Sequence, residues 1–332
     1  MGCGGRAQSH MRAWQQCGAT ELVAICDVDE PKLKATGEKF QITKLYQDMA
    51  EMIKKEHADL VDICTPPTIR TSIVGPALEA GAKAILIEKP IALKPSESRQ
   101  LVAWGKEHLI AVNTQYQWMP HWQRIWGLLQ EKALGEIRFI RCSTRANILE
   151  QGPHVLDLAL KAARLSGLPD PEWVLANACG IERFGKTPVP NDVSATVGLG
   201  PARLFMNHGP SAPDVPGEKV FHYHIQVDIV GTLGRIWVSL NQGWLFWREG
   251  TFEAGSSAWP RDDGLSQAAM CVHLRDAIKG GQEAEFPTRV AIAAQNSDLM
   301  MACYASALGG GRIKLPFEFS DDLVDKLEGL PK

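Results

Sequence analysis

Between Glu21 and Leu129 short β-rich runs alternate with helical stretches, and this alternation constrains the fold more than any other feature of the chain. Parallel strands need a crossover helix between them, whereas antiparallel strands need only a turn. The segments 21–26, 59–65, 82–88 and 110–116 read as strands, and 31–40, 71–81 and 96–108 as the helices between them. The expected product is an α/β domain over residues 1–118 with a doubly wound sheet, whose binding crevice lies at the carboxyl ends of the strands.

Gly2, Gly4 and Ala7 spell G-x-G-x-x-A, with Gly5 and Arg6 inside the same turn, and Asp27 lies twenty residues beyond Ala7 at the end of the next strand. Glycines at this spacing let backbone amides approach a pyrophosphate at a helix amino terminus, and the carboxylate accepts hydrogen bonds from ribose hydroxyls. This points to a Rossmann-type dinucleotide site formed by Gly2, Gly4, Gly5, Arg6, Ala7 and Asp27. A carboxylate at Asp27 repels a 2′-phosphate, so NAD is expected in preference to NADP. The fingerprint should follow a first strand, yet only Met1 precedes Gly2. Two explanations stand: residues precede Met1 in the full protein, or the cofactor site is damaged.

Composition narrows the partners. The 332 residues are 45% apolar and 22% charged with a net charge of −3, which suits a globular chain of two domains and gives no electrostatic reason to expect nucleic acid or an anionic membrane. The eight cysteines show no metal-ligand spacing, no run approaches the ~20 apolar residues of a membrane span, and no signal-peptide core is present. Buried thiols in the cytoplasm and no bound metal are the expectation.

Lys89 follows the apolar run AILIE at the end of a buried strand, where an ammonium can stabilise a developing alkoxide. The string AGAKAILIEKPIAL (80–93), preceded by DICTPP (62–67) and closed far downstream by YASALGGGRIKLP (304–316), resembles the family of glucose-fructose oxidoreductase, inositol dehydrogenase and the rhizopine-catabolism protein (Gfo/Idh/MocA). The resemblance implies a cis peptide before Pro90. It also implies cofactor contacts from Thr65, Pro66, Glu88 and Lys89, and an NAD(P)-dependent hydride transfer at a hydroxyl-bearing carbon of a sugar or polyol. Two other classes stay open: a lyase or glycosidase that retains its NAD and oxidises the sugar transiently, and a sugar or nucleotide sensor without catalysis.

Residues 119–332 are expected to form an α+β domain with an open, mainly antiparallel sheet. Glu150 and His154 stand where the resembling family carries an Asp-x-x-x-His element, so His154 takes the role of base, Lys89 polarises the same oxygen, and Glu150 positions a hydroxyl or the imidazole. Pro153 suits a first helical position, placing His154 in the first turn and Asp157 one turn on. Gln115, Gln117 and Trp118 are further substrate-side candidates. Arg70 falls where many relatives carry His, and Gln117 where several carry Arg. Trp118, Trp122 and Trp126 read as one helical stripe, His222 and His224 as one polar face of a strand over 221–231, and Trp237, Trp244 and Trp247 as an aromatic sheet face through which the chain forms a homodimer or homotetramer.

Overall fold

The computed structural model describes residues 1–256, 264–281 and 286–330. The chain divides into two compact units, Met1–Trp118 with Arg261–Ala294, and Met119–Pro260 with Gln295–Lys332. In the first unit, chain order is α1 (Gly5–Cys17), β1 (Ile25–Cys26), α2 (Glu30–Phe40), β2 (Leu45–Tyr46), α3 (Met49–Glu56), β3 (Val61–Ile63), α4 (Arg70–Glu79), β4 (Ala84–Ile87), α5 (Pro95–Trp104) and β5 (Leu109–Val112). The second unit carries α6 (Pro120–Gln130), β6 (Ile137–Thr144), α7 (Gly152–Leu165), β7 (Trp173–Phe184), β8 (Thr187–Leu199), β9 (Ala202–His208), β10 (Ile225–Gly231), β11 (Gly234–Ser239), β12 (Trp244–Arg248) and β13 (Thr251–Gly255). Then α8 (Gly264–Gly280) returns to the first unit, α9 (Val290–Gly309) begins there and ends in the second, and β14 (Ile313–Lys314) closes the second unit.

Local chemistry sets the helix starts. Asp29 caps α2 by accepting from Lys32 N, with Pro31 just inside the helix, and Asp48 caps α3 by accepting from Glu51 N at 2.7 Å; such caps each contribute ~1 kcal/mol. β4 and β5 are apolar and buried at every position, as parallel strands covered on both faces must be. Ile85 and Ile87 pack on one side with Val74, Ala77 and Leu101 of α4 and α5, while Leu86 packs on the other with Trp14 of α1 and Leu274 of α8.

The Rossmann sheet is in two pieces, β1–β2 and β3–β4–β5, all parallel. Met1 and Gly2 join them: the Met1 amino group donates to Asp62 O (2.8 Å), Cys64 N donates to Met1 O (2.9 Å), and Gly2 N donates to Cys26 O (2.8 Å). The lateral order is therefore β2, β1, Met1–Gly2, β3, β4, β5, which is the expected 3-2-1-4-5-6 order with the short bridge in the place of the first strand. The strand expected over 21–26 shrinks to Ile25–Cys26 for the same reason, since residues 21–24 have no ladder beside them on that flank.

In the second unit nine strands form one sheet, ordered β13-β12-β11-β10-β6-β9-β8-β7-β14 and antiparallel except for the β6–β9 pair. The strand expected over 221–231 begins only at Ile225, because its partner β6 ends at Thr144, opposite Ile225. Phe221–Tyr223 forms a 3-10 turn instead, so Phe221 and Tyr223 leave the face on which Ile225, Val227 and Ile229 are buried. The single tryptophan stripe is also corrected. Trp118 ends a 3-10 turn (Gln115–Trp118) and stacks on Phe286, whereas Trp122 and Trp126 stack on each other along α6 with ring centroids 4.7 Å apart. Pro120 starts α6 with fixed φ and no amide hydrogen, so the helix cannot run back through Trp118.

Candidate functional site

The nucleotide turn comes first. Gly2 has a φ of +84°, and a Cβ there would lie 3.1 Å from Cys64 O, so a side chain is both strained and crowded. Gly4 caps α1 with no side-chain bond and no acidic residue follows in the first turn. The leading amides and the positive helix end are thus uncompensated by protein carboxylates of that turn, and a Cβ at Gly4 or Gly5 would meet nothing within 4 Å. Asp27 holds this turn from below: Oδ2 accepts from Cys3 N at 2.7 Å and Oδ1 from Asp29 N at 2.9 Å. Each oxygen keeps a second lone pair for a ribose hydroxyl. The residues present fit a dinucleotide.

Glu88 is the hub of the first unit. Its Oε1 accepts from Arg6 Nε (2.6 Å), His10 Nε2 (2.7 Å) and Asn113 Nδ2 (2.7 Å), and its Oε2 accepts from the Lys89 amide (3.0 Å). Burial would raise this carboxyl's pKa, but the charges of Arg6, His10 and Lys89 hold it well below its usual range. His10 is buried, and its Nδ1 lies 2.9 Å from Asp62 Oδ2, which also accepts from Trp14 Nε1 (2.8 Å). Burial, the largest single influence, would lower the His10 pKa; the charge and hydrogen bonds of Asp62 and Cys64 together outweigh it and raise the ring well above its ordinary value. Burial likewise opposes ionisation of Asp62, yet His10 and Trp14 hold its pKa down. His10, Asp62 and Cys64 present ligand atoms within 4.8 Å of one another, and both ring nitrogens already contact carboxylate oxygens at 2.7–2.9 Å.

Arg70 is buried and clamps two backbone segments: it donates to Glu88 O at 2.7 Å and to Thr65 O at 2.8 Å. Desolvation pushes its guanidinium down to about 10, with the Glu88 charge opposing. Thus Thr65, next to Pro66, and Glu88, next to Lys89, are fastened to one cation, and the Lys89-Pro90 peptide is cis as the resemblance implied. Thr65 Oγ1 is buried without a protein partner. Gln115, Gln117 and Trp118 lie buried in the 3-10 turn just past β5.

In the second unit His154 sits in the first turn of α7 and is buried, as is Asp157 one turn later. Gly152 takes the first helical position and Pro153 the second, a shift of one from the expectation. Asn147 orders the turn that precedes the helix, its Oδ1 accepting from Leu149 N and Glu150 N. Glu150 reaches His222, with Oε1 3.0 Å from Nδ1. His222 and His224 do not share a strand face: His222 lies on the 3-10 turn, and buried His224 accepts from Val215 N. A turn beyond Asp157, Lys161 lies over the Trp126 ring at 4.9 Å, its pKa pushed down by burial to about 8 while Asp157 opposes.

Sequence reading named Arg6, Thr65, Glu88 and Lys89, which the first unit does bring together, and missed His10, Asp62, Asn113 and the clamp role of Arg70. Two signals were available. Arg6, His10 and Trp14 recur every four residues along one face of α1, and Asp62 interrupts an otherwise apolar strand. Asn147 and Lys161 carried no comparable signal.

Residues 1–115 match the Gfo/Idh/MocA oxidoreductase family, NAD-binding Rossmann fold. A D-apiose dehydrogenase of Paraburkholderia graminis is 35% identical over 148 residues, which is 44% of this chain and 39% of that enzyme. The chain is therefore matched to about two fifths of that relative's length. Among solved structures, an oxidoreductase from Agrobacterium radiobacter in complex with NAD+, L-tartaric acid and magnesium shares the fold with a TM-score of 0.80 at 22% identity, covering 94% of this chain and 96% of that one. Levoglucosan dehydrogenase in complex with NADH and levoglucosan has a TM-score of 0.78 at 18% identity, covering 95% and 98%.

Proposed function

Because its amino-terminal domain belongs to the Gfo/Idh/MocA oxidoreductase family, we propose that this chain is an NAD-dependent dehydrogenase acting on a hydroxyl-bearing carbon of a sugar or polyol. One observation carries the reading: the glycine turn held by Asp27 and the segment Glu88-Lys89-Pro90 are both anchored by side-chain hydrogen bonds within one compact unit. Bound nicotinamide supplies the hydride acceptor. Asp27 accepts from the adenosine ribose and excludes a 2′-phosphate, and Thr65 Oγ1 has a lone pair and a proton to offer on the cofactor side. Lys89 stabilises negative charge on the substrate oxygen, and His154, in the first turn of α7, accepts the hydroxyl proton. Gln115, Gln117, Trp118 and Glu150 are assigned to the substrate. The division at residue 118 into cofactor and substrate domains belongs to the same proposal.

Matching relatives include dehydrogenases named for D-apiose, a D-glucoside and myo-inositol, and others named for trans-1,2-dihydrobenzene-1,2-diol, which supports a small substrate bearing hydroxyl groups. No helix among the described residues is long and apolar enough to cross a membrane, and all eight cysteines are free; a reducing cytoplasm suits both. We assign self-association to the outer sheet face. Register places Trp237 beside Leu245 and Trp247 beside Phe252 on that face, while Trp244 pairs with Val238 on the other, which removes Trp244 from the expected patch. Trp247 and Phe252 are 56% and 66% exposed, an apolar surface that suits burial by a second copy.

Calorimetry with NAD and NADP tests the cofactor, and a panel of aldoses, anhydrosugars and polyols scored by NADH formation tests the reaction. Tight NAD binding with substrate-dependent NADH is expected. Binding without net NADH, but with an altered glycoside, would assign the chain to transient-oxidation chemistry. Failure to bind either nucleotide would refute the proposal.

A further inference from the structure

The His10 ring has no part in the hydride-transfer scheme, yet Asp62, Glu88 and Asn113, from three separate segments, converge on it. His10 Nδ1 faces Asp62 on β3 at 2.9 Å, and Nε2 faces Glu88 beyond β4 at 2.7 Å. A neutral imidazole has one donor and one acceptor nitrogen, so one of these contacts would set lone pair against lone pair. Protonating Glu88 instead does not resolve the conflict, because the same Oε1 also accepts from Arg6 and Asn113, and both donors favour the carboxylate. Asp62 Oδ2 likewise accepts from Trp14 Nε1, which favours its carboxylate. Asn113 Nδ2 also lies 3.0 Å from Nε2, but it donates to Glu88 Oε1 at 2.7 Å, and the Nε2–Oε1 contact of 2.7 Å is the shorter of the two at the ring. The geometry therefore favours donation from both ring nitrogens. The other charged or titratable groups around the pair are compatible with it: Cys64 lies against Asp62 with Sγ 3.5 Å from Oδ1 and acts on His10, Cys271 of α8 is a thiol whose pKa burial and Asp62 raise, the Met1 amino group acts on Asp62, and Arg6, Lys89 and Arg70 act on Glu88.

We propose that His10 is a positioning residue: held as an imidazolium between Asp62 and Glu88, it fixes the one carboxylate that grips both Arg6 in the nucleotide turn and the Lys89 amide. The arrangement ties α1, β3 and the Glu-Lys-Pro segment to a single charge. Arg6 is thereby aimed from the first helical turn, and Lys89 is set at the end of its strand. The consequence for cofactor affinity rests on the dehydrogenase reading; the charge state and the coupling to Lys89 do not.

The test uses ¹⁵N-labelled full-length chain without nucleotide. His10 ring nitrogens, identified by their loss in His10→Gln, are followed by NMR from about pH 5.5 to 9, a range that brackets an ordinary imidazole. Both nitrogens are expected to stay protonated throughout, and the Lys89 amide resonance is expected to move in His10→Gln. Asp62→Asn, which leaves the ring and Glu88 in place, provides the same readout if His10→Gln does not fold. NAD affinity should fall about tenfold or more in either variant, the loss expected for a hydrogen bond to a charged group. A further Asp62→Asn change in the His10→Gln background should restore part of that affinity by removing the stranded carboxylate, a gain that a space-filling role does not predict. A ring that deprotonates near its ordinary value, or a Lys89 amide unmoved in both variants, would overturn the proposal. A wild-type chain that fails to bind NAD but shows the protonated ring and the Lys89 shift would count against the dehydrogenase reading and in favour of this one.

Discussion

Replacing Arg70 by Met should separate stability from function. The side chain is 1% exposed, bonded to Glu88 O and Thr65 O, with Nε unpartnered. Its guanidinium is pushed from 12.5 to about 10, and at ~1.4 kcal/mol per tenfold the native state gives up about 3 kcal/mol to keep it charged. Met recovers that cost but strands the buried Glu88 carbonyl and the part-buried Thr65 carbonyl, at roughly 1–3 kcal/mol each with the second toward the low end. The terms nearly cancel, so the net loss should be on the order of 1 kcal/mol, well short of the ~3–5 kcal/mol expected when a buried ion pair is broken. Function should suffer more. Freed from Arg70, the Glu88 carbonyl no longer fixes Lys89, and a displacement of ~1 Å at a reacting group costs about a hundredfold in turnover. Urea denaturation measures the first quantity and substrate-dependent NADH formation the second. A stability loss above ~4 kcal/mol, or unchanged turnover in a folded variant, would refute the reasoning.

Three further outcomes are expected. Lys89→Ala and His154→Ala should each abolish turnover while urea midpoints stay near wild type; retained activity in both removes the assigned roles. Asp27→Asn should weaken NAD binding while improving NADP relative to NAD, read by calorimetry, because the change removes the charge that repels a 2′-phosphate and keeps an acceptor for Cys3 N. The third concerns pH. His10 is raised above its ordinary 6.5, so its contribution to stability is complete below that value and declines as pH rises toward the folded value. Asp62 and Glu88 are lowered from 3.8 and 4.5, so theirs is complete above those values and is lost as pH falls through the folded ones. The cluster should therefore stabilise most between about pH 4.5 and 6.5. Denaturation across pH should show the alkaline decline in wild type and not in His10→Gln.

The fold was legible where the signal is local. Fully apolar β4 and β5, capped α2 and α3, and the alternating burial of Ile225, Val227 and Ile229 follow from residues within one element. Pairing decided the rest. The β6–β9 parallel neighbours and the start of the tenth strand at Ile225 depend on registers between distant segments, and no window of sequence contains them. The opposite faces of Trp244 and Trp247, by contrast, were legible, because the two are three residues apart on one strand and side chains alternate along it.

The site divides along the same line. Glycine spacing, Asp27 and Glu-Lys-Pro announce themselves because each is a short string whose chemistry is complete in itself. His10 does not, since what makes it a fixed cation lies 52 residues away at Asp62 and 78 residues away at Glu88. On its own helix it is one polar residue in a stripe with Arg6 and Trp14, and on its own strand Asp62 is a carboxylate with no stated partner. Only the doubly wound order puts α1 over β3 and β4, and only then do two carboxylates with nothing in common in sequence favour a proton on both nitrogens of one ring. Motifs report the groups that meet ligand; the charges that hold those groups still are written in topology.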